Sequence, residues 1–324
     1  MKVCIYGAGA IGGWIGAKLA QAGCDVSVVA RGETLTALQQ HGLRLLEDGQ
    51  TQSAAVRASE APAELGVQDL VIVAVKAPAM APVAAAIGPL LGAQSIVLSA
   101  MNGVPWWFFE GFGGRYAGTR LRAVDPDGSI ARALPPQHII GCVVHASGSL
   151  ESPGFARHHF GNKLIIGEPS GEKTQRAREL AALLERAGFE TVLSDQVQKD
   201  IWYKLWGNMT VNPISAITGA TTDLILNDDL VRGFVSSVML EAREIGGRIG
   251  IPIEQRPEDR HQVTRKLGAF KTSMLQDVEA GKPVELDALV TVVKELGELT
   301  GTPTPFTDAL LGLARLHAQV RALY

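Results

Sequence analysis

Val3-Cys4-Ile5-Tyr6-Gly7-Ala8-Gly9-Ala10-Ile11-Gly12 opens the chain with an apolar run, a glycine-rich turn and the start of a small-residue helix. The run at 3–6 reads as a buried strand, and 11–22 as a helix that stops at Gly23. In the spacing G-x-G-x-x-G each glycine has its own reason. Gly7 permits the tight turn, Gly9 lets a pyrophosphate approach the backbone, and Gly12 lets helix and strand pack closely. The unpaired N–H groups and the positive end of the helix dipole then face the phosphates. A glycine-rich turn with no ligand is the plain alternative. The placement after a strand and before a helix favours a dinucleotide, held by Gly7, Ala8, Gly9, Ala10, Ile11 and Gly12.

Outward from this turn the pattern repeats. Further strands are expected at 26–30, 70–75 and 95–98, with a helix at 82–91. Unbroken Val/Ile runs separated by helices indicate a parallel sheet covered on both faces. The middle, 111–167, is richer in Gly, Pro and His, with β-like runs at 139–144 and 164–166. A charged amphipathic helix at 172–187 and a last strand at 189–193 follow. Beyond that only helical periods remain, at 196–211, 229–249, 258–279, 285–300 and from 305 to 322. The fold class is therefore α/β, with an N-terminal Rossmann-type parallel-sheet domain over 1–194 and an all-helical C-terminal domain over 195–324.

Bulk composition agrees with this organisation. At roughly 100–200 residues per domain, 324 residues suggest two domains. Apolar residues at 46% and charged residues at 19% suit a folded globular chain. A net charge of −3 with no basic block gives no support to a nucleic-acid or membrane-surface role. Cys4, Cys24 and Cys142 form no CxxC pair, so a reducing compartment, the cytoplasm, is expected rather than a disulfide framework. His158 and His159 are adjacent and so diverge, and no metal site is expected.

The end of the second strand bears on the choice between NAD and NADP. Asp25 precedes the strand and reads as a turn residue, whereas Arg31 follows it. A guanidinium there suits the bidentate grip of a 2′-phosphate, with a solvated surface arginine as the plain alternative. NADP(H) is thus the expected cofactor, and 1–194 the domain that binds it. Lys76 and Asn102-Gly103 follow the third and fourth strands at the carboxyl edge, where ligands bind in such sheets.

The helix from residue 196 carries Lys204-Leu205-Trp206-Gly207-Asn208-Met209-Thr210-Val211-Asn212-Pro213. Lys204, Asn208 and Asn212 recur at i, i+4 and i+8, a polar stripe on an otherwise apolar and aromatic helix. Asn is a poor helix former, and a buried ammonium is costly without hydrogen bonds. Such a stripe is either a solvent-facing strip or a seat for a lysine that delivers a proton to a substrate oxygen. Ser273 and Asp277 lie one turn apart on a later helix, followed by Glu285. Ser273 is a candidate carboxylate contact. Glu285 is a candidate partner for a hydroxyl, or an ordinary first-turn glutamate compensating the helix dipole.

Together these blocks resemble the ketopantoate reductases (2-dehydropantoate 2-reductases) over nearly the full length. The matching landmarks are 7–12, Arg31, the run around Lys76, Met101-Asn102-Gly103-Val104, the Lys204 helix, and Ser273-Met274-Leu275-Gln276-Asp277 followed by Glu285. The resemblance implies a cytoplasmic enzyme of pantothenate biosynthesis that reduces the C2 carbonyl of a 2-oxo acid with NADPH. It makes Lys204 the proton donor and Glu285 a second catalytic group that also reaches the cofactor ribose. It makes Asn208 and Asn212 positioning and substrate contacts, and Ser273 the carboxylate contact. Asn102 becomes a contact to cofactor and substrate, and Arg31 and Lys76 the 2′-phosphate grip. His145-Ala146-Ser147 resembles a stretch whose backbone touches the cofactor, with Ser147 as the aligned residue. A helical second domain of this type often supports a homodimer. Thr222 and Phe270 fall where some members have asparagines, and Trp106, Trp107, Phe108 and Phe109 form an unusually bulky run. These departures leave the choice of 2-oxo acid open. The alternatives are a relative acting on another 2-oxo acid, and an NADP-binding redox sensor without turnover.

Overall fold

Ten strands form one sheet, and its central members are apolar, β-branched runs separated by helices. In chain order these are β1 (Lys2–Tyr6), β2 (Asp25–Val29), β3 (Leu43–Glu47), β4 (Gln50–Ala54), β5 (Arg57–Ser59), β6 (Gln68–Val73), β7 (Leu91–Ser99), β8 (Ile139–Ser152), β9 (Phe155–Gly167) and β10 (Glu190–Leu193). The helices among them are α1 (Ala10–Gln21), α2 (Gly32–His41), α3 (Pro62–Leu65), α4 (Met80–Ala86), α5 (Ser129–Ala133) and α6 (Gln175–Arg186). The computed structural model describes residues 1–324. The chain forms two units. The first comprises Met1–Met101, Trp107–Thr119 and Gly128–Val197; the second comprises Asn102–Trp106, Arg120–Asp127 and Gln198–Tyr324.

Across the first unit, β5-β2-β1-β6-β7-β8 are neighbours and all pair in parallel. The chain leaves β1 toward β2 on one side and returns beside it with β6 on the other. That reversal is the point in a doubly wound sheet where ligands bind at the carboxyl ends of the strands. Val3, Ile5, Val28, Leu70, Ile72, Leu98 and Ile140 fill the core beneath it, packed against Trp14, Ile15 and Leu19 of α1.

The first four anticipated strands lie within a few residues of β1, β2, β6 and β7. The hairpin β3–β4 and the edge strand β5 were not anticipated. Asp48 and Gly49 join β3 to β4 with φ of 51° and 75°. An Asp-Gly pair of this kind favours a tight hairpin, so this element had a local signature. The sheet is also mixed rather than wholly parallel, because β8 and β9 are long antiparallel partners. Only their apolar ends, near 139–144 and 164–166, stand out in sequence. The remainder lacks a continuous apolar run, as in the small, polar Ser147-Gly148-Ser149, and is held by cross-strand pairing with several register shifts.

The second unit is helical. It contains α7 (Val197–Thr218, from Gln198 onward), α8 (Thr222–Asn227), α9 (Asp229–Arg248), α10 (Pro257–Arg265), α11 (Ser273–Glu279), α12 (Val292–Thr300) and α13 (Pro305–Val320). A short π-helical turn, Asp287–Thr291, runs directly into α12. The single helix anticipated at 258–279 is two helices. The chain turns at Gly268, with φ of 64°, and restarts where Thr272 Oγ1 accepts from the Leu275 N–H at 3.2 Å. No helix is long and apolar enough to cross a membrane.

Two short stretches from earlier in the chain complete this unit. The Val104 N–H donates to Ala288 O at 2.9 Å. The Glu295 carboxylate accepts from the N–H groups of Arg122 and Ala123 at 2.7 and 2.8 Å. Bonds from a backbone N–H to a charged acceptor are worth about 1.5–3 kcal/mol. Glu295→Ala is therefore expected to destabilise the protein by about 1–3 kcal/mol in urea unfolding, with Glu295→Gln milder. A loss for the alanine variant below about 0.5 kcal/mol, the range of ordinary surface changes, would show that water serves those N–H groups equally well.

Candidate active site

The turn after β1 explains its three glycines differently. Gly7 has φ of 101°, and a Cβ there would lie 2.7 Å from Val75 Cγ1. A Cβ on Gly12 would come within 2.0 Å of Gly7 O. Both glycines are required by the protein's own packing. Gly9 is not, because a Cβ there meets nothing within 4 Å. Gly9 is also the N-cap of α1, which has no side-chain cap and no acidic residue in its first turn. The N–H groups at the start of α1 are thus served by neither. An open cradle at Gly9 below an uncapped helix N-terminus fits a dinucleotide pyrophosphate.

Neighbouring elements bring three more anticipated residues to the carboxyl ends of the central strands. Arg31 is the exposed N-cap of α2, two residues past β2. Its charge reaches the Tyr6 hydroxyl at the end of β1. Burial pushes that hydroxyl above the usual tyrosine value, Cys4 adds to the rise, and Arg31 opposes it. Lys76 stands three residues past β6, at the start of the 3₁₀ turn Ala77–Ala79. Ser147 sits in β8 between two register shifts. A Cβ on the adjacent Gly148 would be 3.6 Å from Ala10 Cβ, so this part of β8 runs close to the start of α1.

In the second unit, α7 is buried along Trp202, Leu205, Trp206, Met209 and Val211. Its polar stripe is not a solvated strip: Lys204 and Asn208 are half-buried and Asn212 is buried. Lys204 Nζ donates to Asn102 Oδ1 at 2.9 Å. Asn212 Nδ2 donates to Ser273 Oγ at 3.5 Å, the long limit of such a bond. Ser273 begins α11 and is exposed. Glu285, only 6% exposed, precedes the π turn and its carbonyl accepts from the Leu289 N–H at 3.2 Å. The structure therefore pairs two residues of α7 with partners from elsewhere in the unit, Lys204 with Asn102 and Asn212 with Ser273 of α11, with Asn208 between them along the stripe.

The other sequence candidates find structural roles. His158 stacks on Trp14 with ring centroids 5.0 Å apart and lies 3.1 Å from Glu47, while His159 turns to Ser149 Oγ at 2.9 Å. Trp106, Trp107, Phe108 and Phe109 are all buried, and Trp107 Nε1 donates to Ser99 Oγ at 3.0 Å. Thr222 is buried; its hydroxyl donates to Gly268 O at 2.7 Å and its N–H to Phe270 O at 3.0 Å. It straps the loop before α11. Cys4 is pushed up to about 12, chiefly by burial, which leaves it an unreactive thiol. No local signature in the sequence marks the π turn or its hold on Val104.

The glycine geometry yields a paired test. Gly9→Ser adds a good N-cap residue in open space and is expected to leave the melting temperature of the ligand-free protein unchanged. The same change should weaken nicotinamide dinucleotide binding at least about tenfold in a fluorescence titration, a cost of about 1.4 kcal/mol. Gly12→Ala should instead destabilise the fold itself by about 1–3 kcal/mol through overpacking. Full dinucleotide affinity in the Gly9→Ser variant would contradict the cradle.

Comparison with known proteins identifies the family. Residues 3–110 match the family model described as ketopantoate reductase PanE/ApbA, and 196–318 the model of its C-terminal part. A 2-dehydropantoate 2-reductase of Mesorhizobium japonicum is 47% identical over 325 aligned positions, covering 100% of both chains. The solved structure of a ketopantoate reductase candidate from Ralstonia solanacearum MolK2 is 57% identical with a TM-score of 0.97, covering 100% of this chain and 99% of that one. D-mandelate dehydrogenase, solved with NADH and anilino(oxo)acetate, is 21% identical with a TM-score of 0.85 over 99% of this chain and all of its own, and shares the fold. The chain therefore belongs to the ketopantoate reductase family of oxidoreductases.

Proposed function

We propose that this enzyme reduces 2-dehydropantoate to pantoate with NADPH, and that Lys204 donates the proton to the oxygen on C2. The observation that carries the reading is the Lys204–Asn102 hydrogen bond on a helix otherwise buried in apolar contacts. NADPH, when bound, supplies the hydride for C2. The oxygen on C2 then becomes an alkoxide, which the Lys204 ammonium stabilises by charge and neutralises by giving up a proton. Asn102 fixes where Nζ points, which matters because proton transfer needs hydrogen-bond distance. Solvent returns the proton to the lysine.

The remaining residues of the site take roles suited to their chemistry. Ser273, backed by Asn212, contacts the substrate carboxylate, and Asn208 lines the same stripe. Glu285, a buried carboxylate, takes a substrate hydroxyl or the cofactor ribose. Arg31 and Lys76 hold the 2′-phosphate, which favours NADPH over NADH. Gly7 to Gly12 hold the pyrophosphate, with the Ser147 backbone beside it. The reading takes a homodimer as the assembly. Three free thiols, Cys4, Cys24 and Cys142, support a reducing compartment such as the cytoplasm.

A second reading has one observation in its favour. Thr222 commits its hydroxyl to Gly268 O, so this position supplies the fold rather than a polar substrate contact. With Phe270 replacing a second asparagine of some relatives, another, bulkier 2-oxo acid becomes the rival substrate. A panel of 2-oxo acids in an NADPH oxidation assay separates the two readings, and turnover of none would leave a cofactor-binding sensor.

Lys204→Ala is expected to lower kcat by about 100-fold or more, the usual scale for losing a general acid. Near-normal kcat would remove that role. Arg31→Ala is expected to weaken NADPH far more than NADH in a direct binding titration. Equal losses for the two would remove the 2′-phosphate assignment.

A further inference from the structure

The turn Asp287–Thr291 is π-helical, with one residue more than an α turn. Its hydrogen bonding shows what the extra residue accomplishes. In an α-helix the Val292 N–H would donate four residues back, to Ala288 O. Here it reaches five residues back, to Asp287 O. Ala288 O instead accepts the Val104 N–H at 2.9 Å. Gly103, between Val104 and Asn102, has φ of 81° and lies flat against the same turn. A Cβ on Gly103 would be 2.4 Å from Ala288 O, 2.7 Å from Ala288 C and 2.8 Å from Ala288 Cβ. All three are atoms of a packed backbone or its first side-chain carbon, which have no flexible end to move.

The turn is gripped from a second side. Tyr324 Oη donates to Asp287 Oδ1 at 2.7 Å, and the Val284 N–H donates to Leu323 O at 3.1 Å. Burial and the neighbouring Asp287 push the Tyr324 hydroxyl up to about 12, so it stays a donor across the working range. Val284 and Asp287 bracket Glu285. On the other side, Gly103 and Val104 follow Asn102, the acceptor of the Lys204 ammonium. Every one of these contacts lies within the second unit.

We propose that the π turn is the seat that positions Asn102 for Lys204, and that Gly103 is the positioning residue on which this depends. The inference rests on the assignment of Lys204 as proton donor. Gly103 touches neither substrate nor cofactor in this account. It acts by letting the loop approach Ala288 closely enough for the Val104 bond, which sets the carboxamide of Asn102 one residue earlier. Tyr324 supports the same turn from behind.

The test is a mutant cycle on kcat with whichever 2-oxo acid the wild-type enzyme turns over. Gly103→Ala should lower kcat about 10- to 100-fold, the scale of a sub-ångström to ångström misplacement. The loss in kcat should exceed any loss of NADPH affinity, since the pyrophosphate turn is untouched and only the Asn102 contact shifts. In an Asn102→Ala background the same Gly103→Ala change should cost less than about threefold, because residues that act as a unit are not additive. An equal cost in both backgrounds would make Gly103 merely structural and overturn the proposal. Should Gly103→Ala not fold, Tyr324→Phe tests the turn from its other side. It should lower kcat about threefold, with NADPH binding and melting temperature unchanged, within the range of coupling through packed residues. Unchanged kcat in that variant would likewise overturn it. Lys204→Ala run in parallel keeps the two ideas apart. Normal turnover there refutes the proton donor alone, while the Gly103 cycle reports on the seat of Asn102.

Discussion

A half-buried ammonium hydrogen-bonded to a carboxamide, Lys204 Nζ to Asn102 Oδ1, is the interaction that the second unit is arranged to present. Desolvating a lysine is costly unless its donors are satisfied. Aromatic and aliphatic burial on the other sides of α7 fixes the direction in which the stripe faces. Asn102 is equally constrained. It belongs to a short stretch held by the freed carbonyl of Ala288, while Glu295 holds residues 122 and 123 further along. A helical unit that recruits pieces of an earlier part of the chain is thus not an accident of topology. One of the recruited pieces supplies the acceptor for the lysine.

The first unit solves a different problem, the approach of an anion to backbone. Two of its glycines satisfy packing and one satisfies nothing in the protein. That contrast between Gly12, closed to 2.0 Å, and Gly9, open beyond 4 Å, is a physical argument for a ligand that needs no ligand to be present. Arg31 and Lys76 place cationic groups past the ends of β2 and β6, on either side of β1. The same edge of the sheet therefore offers unpaired N–H groups and positive charge, the two things a dinucleotide phosphate seeks.

What was readable in sequence follows from which constraints are local. The β1 turn, the parallel strands and the Lys204-Asn208-Asn212 stripe are written in short-range spacing, and each appears in the structure as a strand, turn or helix face. The β3–β4 hairpin is local as well, marked by Asp48-Gly49. Other features depend on distant partners. The polar half of β8 becomes a strand because β9 pairs with it. The break at Gly268 is stabilised by Thr222, some forty-six residues away. The π turn exists where Val104 can claim a carbonyl, and nothing in Asp287-Ala288-Leu289-Val290-Thr291 announces it. The pairing of Asn212 with Ser273 was open in sequence for the same reason, since the two lie on different helices.

The most direct measurement of the central claim is a crystal structure of the enzyme with NADP⁺ and a 2-hydroxy acid product bound together. The account predicts Lys204 Nζ within hydrogen-bond reach of the C2 oxygen, about 2.7–3.2 Å, while still donating to Asn102. A C2 oxygen held by some other donor, with Lys204 turned away from it, would contradict the account.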